Sequence, residues 1–206
     1  MLIHICGIDG SGKTTLIKRL SQYYDDSTCV ELSSNVEFVN QVNEICKKNN
    51  SNRWIEFNNK FRSMIWANEI INVVPQINNY LEQKKIVLID RYIICNKIYS
   101  QLEDDSPLQL INFIHESLPK PDFAIYLNID PLVATERINN RGLKRSPKES
   151  EENLRKASEM YKYELSKVDY PVRVLDASKA QEEVFLEAIK EIETQKAKAY
   201  QKEEVF

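Results

Sequence analysis

The chain has 206 residues, of which 42% are hydrophobic and 29% charged, the make-up of a soluble globular protein able to close one sizeable core. A formal net charge of -3 excludes a broad basic surface, so a nucleic-acid polymer is not the expected partner. No apolar run approaches the ~20 residues that span a bilayer. Met1 to Cys6 leads straight into a glycine loop and does not read as a secretory signal. The four cysteines, Cys6, Cys29, Cys46 and Cys95, form no C-x-x-C pair, which fits reduced thiols and a cytoplasmic location.

Short apolar runs alternate with longer helical patterns, and this predicts an α/β domain with a parallel sheet wrapped by helices. The whole chain reads as a single domain. Leu2-Ile3-His4-Ile5-Cys6 is the first predicted strand. Gly7-Ile8-Asp9-Gly10-Ser11-Gly12-Lys13-Thr14 follows it and fits G-x-x-x-x-G-K-[ST], with a predicted helix over 13–24 next. Glycines let the chain curl so that backbone N–H groups converge on triphosphate oxygens, and the helix adds its positive end. Gly7, Asp9, Gly10, Ser11, Gly12, Lys13, Thr14 and Thr15 are thus the expected donor-nucleotide contacts. Lys13 should reach the β- and γ-phosphates, and the Thr14 hydroxyl should bind Mg²⁺. No Asn-Lys-x-Asp segment follows a later strand, which argues against a GTPase. The chain also has no room for the extra modules of a motor ATPase.

A weaker second strand is predicted over 28–32. A long helical region follows, with Trp54, Phe57, Phe61, Met64 and Ile65 on one stripe expected to pack in the core, and Pro75 expected to kink or divide it. The third strand, 86–89, is apolar throughout and predicted to be buried on both faces. Asp90-Arg91-Tyr92 comes directly after it. A carboxylate at that strand end can hold Mg²⁺, and Arg91 offers a planar fork of donors to a phosphoryl group. The fourth strand, 123–127, follows Pro119 and Pro121. Asp130 and Pro131 are an N-cap and first turn for a helix that carries Arg137 and Arg141 and stops at Gly142. A basic loop comes next, then a fifth strand over 172–175 and a last helix from about residue 180 with a charged, solvated tail. His4 and His115 share no metal-ligand spacing and are expected to be structural.

Taken in order, these segments resemble the thymidylate kinase family of nucleoside monophosphate kinases. The likeness rests on Gly-Ile-Asp-Gly-Ser-Gly-Lys-Thr-Thr at 7–15, Asp90-Arg91-Tyr92 with Tyr99, and Leu118-Pro119-Lys120-Pro121-Asp122. It continues through Ile125-Tyr126-Leu127-Asn128-Ile129-Asp130-Pro131, Glu136-Arg137-Ile138, Arg141-Gly142 and Asp176-Ala177-Ser178. The resemblance implies a five-stranded parallel sheet of order 2-3-1-4-5, helices on both faces and a lid at about 142–150. It implies ATP and Mg²⁺ as cofactors, with Thr14 and Asp90 at the metal. Asp9 would meet the acceptor, Arg137 would lie near the adenine, and Ser178 would border the base. The P-loop carries no arginine, whereas the lid has Arg141, Lys144, Arg145 and Lys148, so a lid cation, Arg145, is expected on the transferring phosphoryl.

The acceptor side departs from the family pattern. Counting back from Asp90, Ile65 and Glu69 fall where the family has a base-stacking Phe and a phosphate-binding Arg. A carboxylate does not clamp a phosphate dianion unaided. Arg62, seven residues before Glu69, is the expected substitute, with Phe61 or Trp66 as the aromatic wall. Cys95 and Ser100 also depart from the pattern. Glu31, Arg91 and Tyr99 complete the expected acceptor site. The implied reaction is ATP-dependent phosphorylation of dTMP or a related nucleotide, by a homodimer packed around Trp54 and Phe61. The alternatives are a kinase for a nucleoside or modified nucleotide-like metabolite, and an inactive nucleotide-binding sensor or partner subunit. Glu31 could serve a hydroxyl acceptor as general base.

Overall fold

The computed structural model describes residues 1–33, 37–102, 106–142 and 147–203. Five strands, β1 (Leu2–Cys6), β2 (Cys29–Ser33), β3 (Ile86–Asp90), β4 (Phe123–Asn128) and β5 (Val172–Asp176), form one sheet in the order β2-β3-β1-β4-β5. Every pairing is parallel. Central strands covered on both faces are apolar at consecutive positions, and β1 is buried at all five of its residues. Side chains alternate between faces, so Ile86 and Leu88 join the larger apolar cluster while Val87 and Ile89 join a second one.

Helices cover both faces. They are α1 (Lys13–Thr28), α2 (Glu37–Lys48), α3 (Arg53–Glu56), α4 (Asn59–Glu82) and α5 (Ile93–Ser100), then α6 (Leu108–Glu116), α7 (Pro131–Asn140), α8 (Glu151–Leu165) and α9 (Gln181–Glu203). Asp130 caps α7 as its sequence predicts, its carboxylate accepting from Leu132 N at 2.7 Å with Pro131 in the first turn. Ser150 caps α8, and Glu151 and Glu152 complement the positive end of that helix.

Two expectations need correction. The stripe expected to be core on the long helix is not: Phe61 is 53% and Met64 38% exposed. The buried face of α4 runs instead through Asn59, Ser63, Ala67, Ile70, Val73 and Ile77, at spacings of three and four. The Trp54 side chain lies outside the described residues. Pro75 does not divide α4, because it sits on the exposed side, where water can take the Ile71 carbonyl that loses its N–H partner. The charged tail beyond residue 196 is solvated as expected, exposed at 197–199, and stays helical to Glu203.

In the β1–β3 register Ile5 lies opposite Asp90. The Gly7–Thr14 loop and the Asp90-Arg91 segment therefore leave the carboxyl ends of adjacent inner strands side by side. The chain turns outward in opposite directions on the two sides of this point, and in such sheets the crevice there is where ligands bind.

Candidate active site

The loop after β1 is shaped by contacts that admit no side chain. Gly10 has φ +87°, and a Cβ there would lie 2.6 Å from the Ala134 carbonyl oxygen on α7. Any other residue would push the loop off that helix. Gly12 then caps α1 in a left-handed conformation, leaving the first N–H groups of α1 directed into the crevice.

Lys13 is folded back over this loop. Its Nζ donates to the carbonyls of Gly7 at 2.9 Å and Ile8 at 3.0 Å, and it stands 3.9 Å from Asp9 Oδ1. A triphosphate bound in this loop would have to replace these interactions. Thr14 and Thr15 are exposed at the start of α1, and with Asp9, Gly10, Gly12, Lys13, Asp90, Arg91 and Arg141 they line a cleft of about 70 Å³.

Asp90 Oδ1 is buried and has no hydrogen-bond partner. An orphaned carboxylate oxygen in the same cleft as an exposed threonine hydroxyl fits a divalent cation. Among the described residues no group of three or more His, Cys, Asp or Glu can hold a metal. Two protein ligands suit Mg²⁺, which keeps waters and takes phosphate oxygens rather than an all-protein cage.

Arg91 links this cleft to a second one. It adopts φ +53°, a conformation rare for a side chain of its size, immediately after β3. Its Nη2 donates to Asp9 Oδ1 at 2.7 Å, and its guanidinium lies 5.9 Å from the centre of the Tyr99 ring. Tyr99 in turn accepts from Asp9 N at 3.2 Å. Burial alone would raise the Asp9 carboxyl, but the Arg91 and Lys13 charges and the Tyr99 and Arg91 hydrogen bonds hold it below the usual range. Asp9 is therefore ionised throughout neutral pH and fixes the arginine fork.

The second cavity, of about 290 Å³, is lined by Asp9, Arg91 and Tyr99 at one end. Ser63, Trp66 and Ile70 from α4 wall it, with Cys95, Asn96 and Ser100 from α5 opposite and Lys148 and Glu149 at the rim. Lys148 Nζ donates to the Tyr99 carbonyl at 2.9 Å, tying the end of the basic loop to α5. A third, shallow pocket of about 40 Å³ on the far side of the loop takes in Ser11, Gly12, Thr15, Arg19, Arg137, Ala177, Lys179 and Gln181. Ser178 lies between two of those residues, its N and Oγ donating to Asp176 Oδ1 at 2.9 and 2.6 Å. The first and third pockets share Gly12 and Thr15, and the first and second share Asp9 and Arg91, so the three form one track.

Several expected acceptor residues stand elsewhere. Glu69 is fully buried and faces α2, where its Oε1 accepts from Val39 N at 2.6 Å in the first turn. It caps a helix and does not line the second cavity. Arg62 donates to the Phe57 carbonyl and does not line the cavity. Ile65 and the exposed Phe61 are absent from the lining too. The cavity-facing positions are one residue later, Trp66 and Ile70, because a count wrong by one turns a helix by about 100°. Glu31 is exposed on β2 and lines none of these three pockets. Arg145 and Lys144 lie outside the described residues. Ser63, Asn96, Glu149, Arg19, Lys179 and Gln181 were not anticipated. For Ser63 the spacing from the buried stripe held the signal; the others have no motif to mark them.

Comparison with known proteins agrees with this geometry. The sequence pattern of the family described as Thymidylate kinase matches residues 5–188. A relative named Probable thymidylate kinase from Archaeoglobus fulgidus is 32% identical over 199 residues, covering 94% of this chain and 95% of its own. Probable thymidylate kinase 1 from Saccharolobus solfataricus is 33% identical over 199 residues, covering 93% and 96%. The solved thymidylate kinase of Candida albicans shares the fold with a TM-score of 0.74 at 21% identity, over 95% of this chain and 92% of that one. Likeness along nearly the whole sequence thus accompanies the glycine loop, the Asp90-Arg91 strand end and the walled cavity beside them, and the chain belongs to the thymidylate kinase family.

Proposed function

We propose that this protein transfers the γ-phosphoryl group of ATP to the phosphate of a small nucleoside monophosphate of the thymidylate type, giving ADP and a nucleoside diphosphate. The observation that carries this reading is that Asp9 and Arg91 line both the phosphate cleft and the acceptor cavity. One guanidinium at their junction can hold the acceptor phosphate against the γ-phosphate. A phosphate oxygen of the acceptor attacks γ-phosphorus while the bond to the β–γ bridging oxygen breaks, and the leaving charge stays on ADP.

Catalysis is then positioning and charge stabilisation. Lys13 leaves the Gly7 and Ile8 carbonyls and meets the β- and γ-phosphates. Thr14 and Asp90 would hold Mg²⁺, which neutralises phosphate charge when bound. Arg137 and the Ser178 segment border the donor base, and Arg141 faces the phosphates. Arg145 is the lid cation of this reading. Trp66 supplies the aromatic wall for the acceptor base. The acceptor of this reading is a free small nucleotide, and no described helix is long and apolar enough to cross a membrane. We further propose a homodimer, with the apolar edge of α4 at Phe61 and Met64 exposed for it; a monomer by light scattering at micromolar concentration would refute that.

A hydroxyl acceptor would need a general base, and Asp9, kept ionised by Arg91, is a poor one, while Glu31 lines none of the three pockets. A monophosphate, already ionised, needs none. ADP release measured with a panel of nucleotides and nucleosides tests the proposal. Acceptor-dependent ADP with dTMP supports it. Tight ATP binding without acceptor-dependent ADP would identify a sensor instead.

A further inference from the structure

A cleft of about 330 Å³ lies between α2 and α4 and shares no lining residue with the three pockets of the phosphate track. Its polar groups are two carboxylates, Glu37 and Glu69, and three carboxamides, Gln41, Asn72 and Gln76. Phe38 and Val73 supply the apolar part of the wall. Among the described residues that line it there is no lysine, arginine or histidine. The cleft therefore repels anions and offers oxygen acceptors to a cation.

The most buried of these polar groups is also the one left incomplete. Glu69 has no exposed surface, and its Oε1 accepts from Val39 N at 2.6 Å, which fixes the carboxylate against α2. Its Oε2 is buried and has no hydrogen-bond partner. A carboxylate oxygen taken from water in this way is costly unless a donor meets it. Glu37, Gln41, Asn72 and Gln76 are all exposed around it, so water already serves them and the unmet demand is at Glu69.

A bare metal ion would find two carboxylates here and no phosphate to complete its shell. The volume instead reaches the ~300 Å³ at which small-molecule sites begin. A guanidinium is planar, carries five N–H donors and pairs with carboxylates in a fork geometry. Its further N–H groups can meet the carboxamide oxygens, and an alkyl stem can lie along Phe38 and Val73. We propose that the cleft between α2 and α4 is a binding site for a small alkylguanidinium, whose charged head pairs with Glu69 Oε2 and is drawn in by Glu37. This site is independent of the phosphoryl-transfer reading.

Calorimetric titration of the full chain with agmatine, at fixed ionic strength and without nucleotide, tests it. Agmatine should bind at one saturable site and raise the melting temperature. Putrescine, with an ammonium in place of the guanidinium, should bind about threefold or more weakly, since it lacks the planar fork. Glu69→Gln, which keeps an oxygen for Val39 N, should raise the agmatine Kd about tenfold or more. Glu37→Gln, at an exposed position, should raise it severalfold, whereas Trp66→Ala should change it less than about twofold. No binding, or one Kd shared by the parent and both glutamate variants, would show a solvated groove and sink the inference. Displacement of agmatine by Mg²⁺ at matched ionic strength would make this a metal site and overturn it. So would agmatine that only splits an oligomer, because the occupant would then be a side chain of a second copy.

Discussion

The phosphate end of the track and the acceptor end are built from different materials. Around Lys13 the site is mostly backbone: N–H groups of a glycine loop, the start of α1, and the carboxyl ends of β1 and β3. Around Trp66 it is side chains standing on two helices, α4 and α5. Backbone-built sites depend on covalent spacing and sheet register, which leave little freedom. Side-chain walls depend on the rotation of a helix about its axis, which a single residue alters by about 100°.

The largest expected effects therefore fall at the phosphate end. Lys13→Ala should lower kcat by about 10³-fold or more and lower the melting temperature modestly, because it frees two loop carbonyls and removes a charge 3.9 Å from the buried Asp9. Arg91→Ala should lower kcat/KM by about 10²- to 10³-fold and leave Asp9 with Lys13 as the remaining charge to offset its burial. Activity retained in Arg91→Ala would separate the two cavities and remove the reason for joining them. Arg91→Lys should recover only part of the loss, since an ammonium cannot reproduce the planar fork.

Legibility in the sequence follows the same division. The Gly7–Thr14 loop, Asp90-Arg91 and the cap at Asp130-Pro131 could be read directly, since each motif is contiguous and its chemistry sits in consecutive residues. The acceptor wall could not. Glu69 falls at the family's phosphate-binding position only when positions are counted along α4, and what it does depends on α2, a different element. The exposure of Phe61 was equally hidden. An aromatic stripe with helical spacing says that a helix has a face, not that this face is turned inward. His115, expected to be structural, is buried and bonded to Asn96, nineteen residues away on another helix, a pairing that spacing along the chain does not reveal.

Both ends conceal a neutral histidine, and they should part on acidification. His4, on β1 beneath the phosphate loop, is fully buried and lowered to about 3 by burial and by Lys13. His115 behind the acceptor wall is lowered to about 4. Unfolding frees both to titrate near 6.5, so the unfolded state binds more protons below that pH and stability falls as pH drops. The loss should begin below about pH 6.5 and approach ~1.4 kcal/mol per pH unit per histidine by about pH 5. The His115 contribution should level off near pH 4 while that of His4 continues lower. Urea melts between pH 7 and 4 measure it. In His115→Asn the slope between pH 6 and 4.5 should be about half that of the parent.

At the acceptor end Trp66→Ala should raise acceptor KM by about tenfold with kcat nearly kept, whereas Ile65→Ala and Phe61→Ala should change it less than about twofold. The contrast between neighbours tests the rotation of α4 directly. Equal effects at 65 and 66 would mean that neither side chain defines the wall.

Glu69 gives the smallest and most discriminating result. Its carboxylate takes the place of a capping side chain for α2, one oxygen on Val39 N and the other, buried, without a partner. Glu69→Gln keeps an oxygen for that N–H and relieves a buried charge, so its stability should lie within about 1 kcal/mol of the parent. Glu69→Ala loses the cap and should destabilise by about 1–2 kcal/mol. Neither should move acceptor KM, because the residue faces the cleft with Glu37, Gln41, Asn72 and Gln76 and not the cavity beside Trp66. An acceptor KM raised tenfold in Glu69→Gln, with an unchanged melt, would put the carboxylate back at the substrate and make the geometry of α4 the error.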